Sequence, residues 1–155
     1  EPHFQDCDLD EILNKNLQFL ETELETQKIS LKDGLSHQPM PLKADPHLLY
    51  RSFLNIFMNA IQSIKTDGTL SVSVSEEKDG YFVEIKDDGG GIREKDLKKI
   101  FDPFFSTKDK GSGLGLSIVR NIIEGHHGRI WIESHHQESE AQKTGTSVFI
   151  QLPKA

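Results

Sequence analysis

Cysteine occurs once in the 155 residues, at Cys7, so no internal disulfide can staple the fold, and the chain suits a reducing compartment. There is no run of eighteen apolar residues and no signal-peptide pattern, so the sequence predicts neither a spanning helix nor export. Basic residues are in deficit, 18 against 25 acids, and the formal charge of −7 argues against non-specific nucleic-acid binding. Two familiar phosphate-binding fingerprints are missing as well. No Gly-x-x-x-x-Gly-Lys-Ser/Thr occurs, and no Gly-x-Gly-x-x-Gly follows the first strand. Hydrophobic content is a modest 35%, yet the apolar residues fall into periodic segments, so residues 1–155 read as one folded domain. Glu1 is no initiator residue, and the sequence is expected to be a piece of a longer chain.

What is present is glycine, in two places. Six of the twelve glycines lie in Asp87-Asp88-Gly89-Gly90-Gly91-Ile92 and Gly111-Ser112-Gly113-Leu114-Gly115-Leu116. Such density marks backbone that bends sharply or approaches something closely. The second cluster runs into a helical pattern, and a helix N-terminus with free N–H groups suits a phosphate. Residues 93–115 hold six Lys/Arg against four acids, so this segment is +2 while the remainder carries −9. A basic island in an acidic domain points to an anionic ligand, although helix-surface charge gives the same count.

Leu9, Ile12, Leu13, Leu17, Leu20 and Leu24 recur at helical spacing after an irregular lead-in over residues 1–7, with Asp8 or Asp10 as cap. Ile29 and Leu31 predict a short strand, and the loop from His37 to Pro46 has an extended piece near Leu42. A second helix is expected over about 46–65. Phe53, Phe57, Ala60 and Ile64 form one side, and Asn55, Asn59 and Gln62 fall opposite within a narrow arc. Solvent faces of helices usually draw Lys, Glu and Arg, whereas Asn is a poor helix former. An uncharged stripe with two Asn one turn apart suits a ligand or metal; a plain solvent face is the alternative.

Leu70, Val72 and Val74 alternate with serines, and a turn at Lys78-Asp79-Gly80 leads into a second strand. There Tyr81, Val83, Ile85 and Asp87 share one face, which buries Asp87 and turns Asp88 outward. A buried carboxylate needs a donor, from a ligand amine or from the protein itself. Glu94 to Ile100 predicts a short helix. A third long helix begins near Gly113 and ends near His127, with Gly128 at C′. Strands at 129–134 and 145–152 close the chain. His126-His127 and His135-His136 flank the first of these, but without Cys or regular ligand spacing, helix-end and loop histidines are a simpler account than zinc. These elements predict an α+β, two-layer sandwich with a mixed five-stranded sheet packed on three helices.

The blocks together closely resemble the ATP-binding catalytic domain of sensor histidine kinases, in the gyrase/Hsp90/histidine-kinase/MutL superfamily with its Bergerat-type fold. Asn55-Ile56-Phe57-Met58-Asn59-Ala60 looks like the N box, and Asp87-x-Gly89-x-Gly91-Ile92 like the first glycine box. Phe101 to Phe105 looks like the F box, and Gly111-x-Gly113-Leu114-Gly115-Leu116 like the second glycine box. His127-Gly128-x-Ile130 and Gly145-Thr146-x-x-x-Ile150-x-Leu152-Pro153 follow the family's ending.

This resemblance implies that Asp87 accepts from the adenine amine, that Gly91 gives the base room, and that Asn59 binds Mg²⁺. It implies catalytic roles for Asn55, Asn59 and Lys108, with Asn55 contacting phosphate and Lys108 reaching the terminal phosphates. For Lys108 a solvated loop charge is the alternative. Gly111, Ser112, Gly113, Leu114, Gly115 and Leu116 would cradle phosphates, and residues 93–112 would form an ATP lid. Further ATP contacts are implied at Gln62, Gly89, Ile92, Phe104, Thr107 and Thr146.

Two departures matter. The family often has a cation and an aromatic or His at Gln62 and Ser63, so a phosphate-facing charge is missing from the second helix. No histidine here is followed by Glu or Asp, as the family's phosphoacceptor is. Residues 1–7 would then be a linker from a separate dimerisation and phosphoacceptor domain. The implied activity is transfer of the γ-phosphate of Mg-ATP to a histidine on that domain, for relay to a response-regulator receiver domain. The fragment is expected to be cytoplasmic and monomeric, without nucleic-acid binding or membrane insertion. The rival readings are a superfamily ATPase, an anti-sigma-type serine kinase, or a nucleotide-sensing module without catalysis. Superfamily ATPases carry a Glu where Asn55 stands, which disfavours hydrolysis.

Overall fold

The computed structural model describes residues 1–64, 67–103, 105, 115–136 and 144–154. The main sheet has five strands: β2 (Ser30–Gly34), β4 (Thr69–Glu77), β5 (Gly80–Asp87), β6 (Arg129–His135) and β7 (Gly145–Pro153). Their order is β2-β4-β5-β7-β6, parallel between β2 and β4 and antiparallel elsewhere. Helices α1 (Leu9–Thr26), α2 (Pro46–Ser63) and α4 (Gly115–Gly125) form the second layer, with α2 touching both others and β5. The expected sandwich of a mixed five-stranded sheet on three helices is what the chain adopts. Among the described residues no helix is long and apolar enough to cross a membrane.

The periodic segments bury what their spacing predicts. Leu9, Leu13, Leu20 and Leu24 of α1, and Phe53, Ile56, Phe57 and Ile61 of α2, are buried against Leu70, Val72, Val83 and Ile85 of the central hairpin. Each fully buried side chain of this size removes enough apolar surface to stabilise the fold by about 1.5–3 kcal/mol. Asp8 caps α1, its Oδ1 accepting from Asp10 N at 2.9 Å. The helix closes with Lys28 in the left-handed region, φ 57°, while Ile29 N donates to Leu24 O.

Four expectations need correcting. The lead-in is not irregular: β1 (Gln5–Asp8) pairs antiparallel with β3 (Pro41–Ala44) in a separate two-stranded sheet. Asp6 and Asp8 break any apolar alternation, so this strand exists through backbone pairing and carries no side-chain signal. Ile29 precedes β2, whose five residues are all exposed at the sheet edge. The short helix α3 (Glu94–Leu97) ends before Ile100, in successive turns. At the end of α4 it is His127 that takes the left-handed C′ position, φ 62°, with Gly128 N donating to Ile123 O. Gly128 is needed for a different reason, since a Cβ there would lie 2.3 Å from Gln151 O.

A clasp of long-range hydrogen bonds ties the first residues to both α2 and α4. Asp45 caps α2 through Oδ1, which accepts from His47 N and Leu48 N, while Oδ2 accepts from His3 N at 2.9 Å. The backbone N–H of Asp45 donates to Nε2 of buried His126, so the ring proton lies on Nδ1 and faces Ile122 O at 2.8 Å. Phe4 stands edge-on to the His126 ring.

The His3 N–H, followed by those of Leu48 and His47, holds the Asp45 carboxyl below its usual value, against desolvation. The unfolded chain therefore binds the proton more readily than the native one. The stability that Asp45 contributes is present above the ordinary carboxylate pKa of about 4 and is lost as pH falls through the lower folded value. Urea midpoints measured from pH 6 to pH 3 should fall less steeply for Asp45→Asn than for the native chain; identical slopes would remove Asp45 from the acid response.

Candidate functional site

Strand parity places Asp87 where the alternation predicts. It closes β5 on the same face as Tyr81, Val83 and Ile85 and is only 4% exposed. Its register neighbours are Leu70 on β4 and Thr146 on β7. Oδ1 accepts from Gly89 N at 2.9 Å, so the protein itself supplies one donor. Asp88 turns outward, and its Oδ1 accepts from Thr69 N at 2.9 Å. Two adjacent aspartates are thus divided between a buried site and a loop-bracing role.

The first glycine cluster is shaped by close backbone approach. A Cβ on Gly89 would meet Ser63 O at 2.4 Å, which holds the loop against the last turn of α2. Gly91 has φ +77°, and a Cβ there would lie 2.1 Å from His135 O. The space left by its missing side chain faces β6, in addition to whatever room it gives a ligand. Gly90 has open space around it. Beyond the cluster, Ile92 N donates to Ser134 Oγ at 2.7 Å, and Ser134 Oγ also contacts Gly145 O at 3.0 Å and Thr146 Oγ1 at 2.8 Å.

The other end of the site lies along α2. Asn55 and Asn59 are half-buried, and Asn59 Nδ2 donates to Asn55 Oδ1 at 3.4 Å. Gly115, the first residue of α4, packs on Asn55: a Cβ there would sit 2.9 Å from Asn55 Oδ1. Two blocks sixty residues apart therefore meet side chain to backbone. Leu116 is half-buried beside Gly115, while Gln62 is exposed at the end of the same stripe. From Asn55 to Ser63 the helix rises about 12 Å, and the glycine loop and the start of α4 are spaced along that length.

Of the expected lid, Phe101 and Phe105 are half-buried, and the Arg120 guanidinium lies 5.4 Å over the Phe101 ring. Phe104, Thr107, Lys108, Gly111, Ser112, Gly113 and Leu114 lie outside the described residues. Among the described residues no three of His, Cys, Asp and Glu gather as a metal cluster. Sequence reasoning missed Ser134, Arg120 and the clasp residues Asp45 and His126. Ser134 has the inward parity of Ile130 and Ile132, and that parity was the available signal.

Residues 44–155 match the sequence profile of the family described as histidine kinase-, DNA gyrase B-, and HSP90-like ATPases. The sensor histidine kinase ZraS of Escherichia coli is 38% identical over 130 residues, covering 84% of this chain and 28% of that protein. Sporulation kinase A of Bacillus subtilis is 36% identical over 135 residues, covering 87% of this chain and 21% of that one. The chain thus spans less than a third of the length of these relatives. The solved catalytic domain of histidine kinase ThkA superposes with TM-score 0.86 at 28% identity, covering 98% of this chain and 96% of that one. In a second structure ThkA is in complex with the response regulator protein TrrA; there the TM-score is 0.83 at 26% identity, covering 99% of this chain and 42% of that one.

Proposed function

The chain belongs to the histidine kinase-, DNA gyrase B-, and HSP90-like ATPases, as the ATP-binding domain of a histidine kinase, and on that premise we propose that it binds Mg-ATP along α2 for phosphoryl transfer to a histidine. The observation that carries this reading is the spacing of two unlike ends on one helix. At the base end, buried Asp87 accepts hydrogen bonds and so reads an amine. At the phosphate end, Asn55 abuts Gly115 in the first turn of α4, and the positive end of a helix dipole favours an anion.

The donor set suits a divalent cation that enters with its nucleotide. Asn59 contributes one neutral oxygen, and a hard cation takes its remaining ligands from phosphate and water. Magnesium, when bound, would neutralise charge on the phosphates. The protein's share is to position: α2 orients the nucleotide through Asn55 and Asn59, and Asp87 fixes the base so that the terminal phosphate is presented outward. Residues 93–112 are the proposed lid, with Arg120 holding Phe101 at its anchored side and Lys108 as its phosphate-reaching cation. The acceptor histidine lies on a separate dimerisation domain linked through residues 1–7, and the phosphate passes on to a response-regulator receiver domain. The proposed setting is cytoplasmic, with the fragment itself monomeric.

Calorimetric titration with ATP should give one site, tighter with Mg²⁺ than with chelator. Absent binding under both conditions would sink the proposal. Incubation with γ-labelled ATP should leave no acid-labile phosphate on the isolated chain, because it has no acceptor followed by an acid.

A further inference from the structure

Ser134, Thr146 and Asp87 occupy one row across β6, β7 and β5, in direct register. We propose that Ser134 is a specificity-determining positioning residue that fixes the direction of the Thr146 hydroxyl and so makes this end of the site a reader of amino-purines over oxo-purines. The inference rests on the nucleotide-site reading above and adds a residue and a discrimination to it.

Proton count fixes the direction of each hydrogen bond around Ser134. A serine hydroxyl has one hydrogen and two lone pairs. Ile92 N–H occupies one lone pair of Ser134 Oγ, at 2.7 Å. Gly145 O can only accept, so at 3.0 Å it takes the single Ser134 proton. The remaining contact, Thr146 Oγ1 at 2.8 Å, then requires that Thr146 donate to the second Ser134 lone pair. All the hydrogen-bonding capacity of Ser134 is used, and Thr146 has spent its only proton inward.

Thr146 therefore offers only lone pairs to anything bound beside it. It is 7% exposed and stands opposite Asp87, whose carboxylate is likewise an acceptor. Two acceptors side by side favour an exocyclic amine and repel an exocyclic carbonyl oxygen. A buried polar pair left facing the wrong partner discriminates strongly.

The test compares ATP with inosine triphosphate, which carries a carbonyl oxygen where ATP has its amine. The native chain should prefer ATP. In Ser134→Ala the Thr146 proton can rotate into the site, and the ratio of the two dissociation constants should fall about tenfold. Ser134→Thr, which keeps the hydroxyl, should restore the ratio. Thr146→Val removes the acceptor with Ser134 in place and should also lower the ratio, which keeps the proposal testable if Ser134→Ala does not fold. An unchanged ratio in Thr146→Val overturns the proposal. So does an equal weakening of both nucleotides in Ser134→Ala, which would mean that Ser134 only braces the loop. A native chain that binds both equally overturns this inference alone, whereas one that binds neither overturns the nucleotide site itself.

Discussion

Asp87→Asn is expected to weaken ATP binding by about a hundredfold or more while leaving the fold in place. The substitution keeps the shape of the side chain, and an amide oxygen can still accept from Gly89 N as Oδ1 does now at 2.9 Å. What changes is the second terminal atom, which becomes a donor where the site presents an acceptor. A base amine would then face an NH₂ group in a position only 4% exposed, where water cannot repair the mismatch. Loss of a charge-assisted hydrogen bond costs about 1.5–3 kcal/mol, and the donor-against-donor contact adds to it. The sum reaches about 3 kcal/mol, which is on the order of a hundredfold in affinity. Burial without a ligand works the other way on stability, since a neutral amide is easier to desolvate than a carboxylate. The weaker bond from Gly89 N offsets that gain, so the thermal midpoint should change little. Calorimetry beside a melting curve separates the two effects. Affinity retained within threefold would remove Asp87 from the site.

The opposite fates of Asp87 and Asp88 were legible because parity in a strand is rigid. Once Tyr81, Val83 and Ile85 are inward, Asp87 must be inward too. The long helices were legible for the same reason, their apolar residues repeating at a period that only one backbone satisfies. The family resemblance assigned Asn55 and Gly115 each to the phosphates, but their direct contact is invisible to periodicity, as it joins α2 to the start of α4. The clasp was not legible at all. Asp45 N–H reaches His126 across 81 positions, and His3 reaches Asp45 across 42. Such bonds satisfy single polar groups and leave no pattern in neighbouring residues. The strand at Gln5–Asp8 is similar, since its pairing with Pro41–Ala44 uses backbone groups common to every residue. At the end of α4 the residue types were misleading, with Gly128 available for C′ and His127 occupying it. The close approach of Gln151 O explains why glycine is nonetheless held at Gly128.

Gly91→Ala should destabilise the domain by about 3 kcal/mol, and Gly90→Ala, one residue away, should change it by less than about 1 kcal/mol. Both replace hydrogen by methyl in the same loop, so composition and unfolded-state entropy are matched and only local geometry differs. At Gly91, φ is +77°, which costs an L-residue about 1–2 kcal/mol. The added carbon would also lie 2.1 Å from His135 O and 2.6 Å from its carbonyl carbon. Those are backbone atoms at the end of β6, so no rotamer change relieves the contact. Moving them strains the strand by roughly 1–3 kcal/mol, in the range of overpacked interiors. At Gly90 nothing lies within 4 Å of the added carbon. For a domain of this length, 3 kcal/mol lowers the thermal midpoint by about 6–12 °C. The strain also falls on the strand end that carries Ser134, whose hydroxyl holds Ile92 N. Gly91→Ala should accordingly lose ATP affinity at temperatures where it is still folded, while Gly90→Ala retains it. Equal melting temperatures for the two variants would mean that the loop shifts freely and that Gly91 is not held against β6.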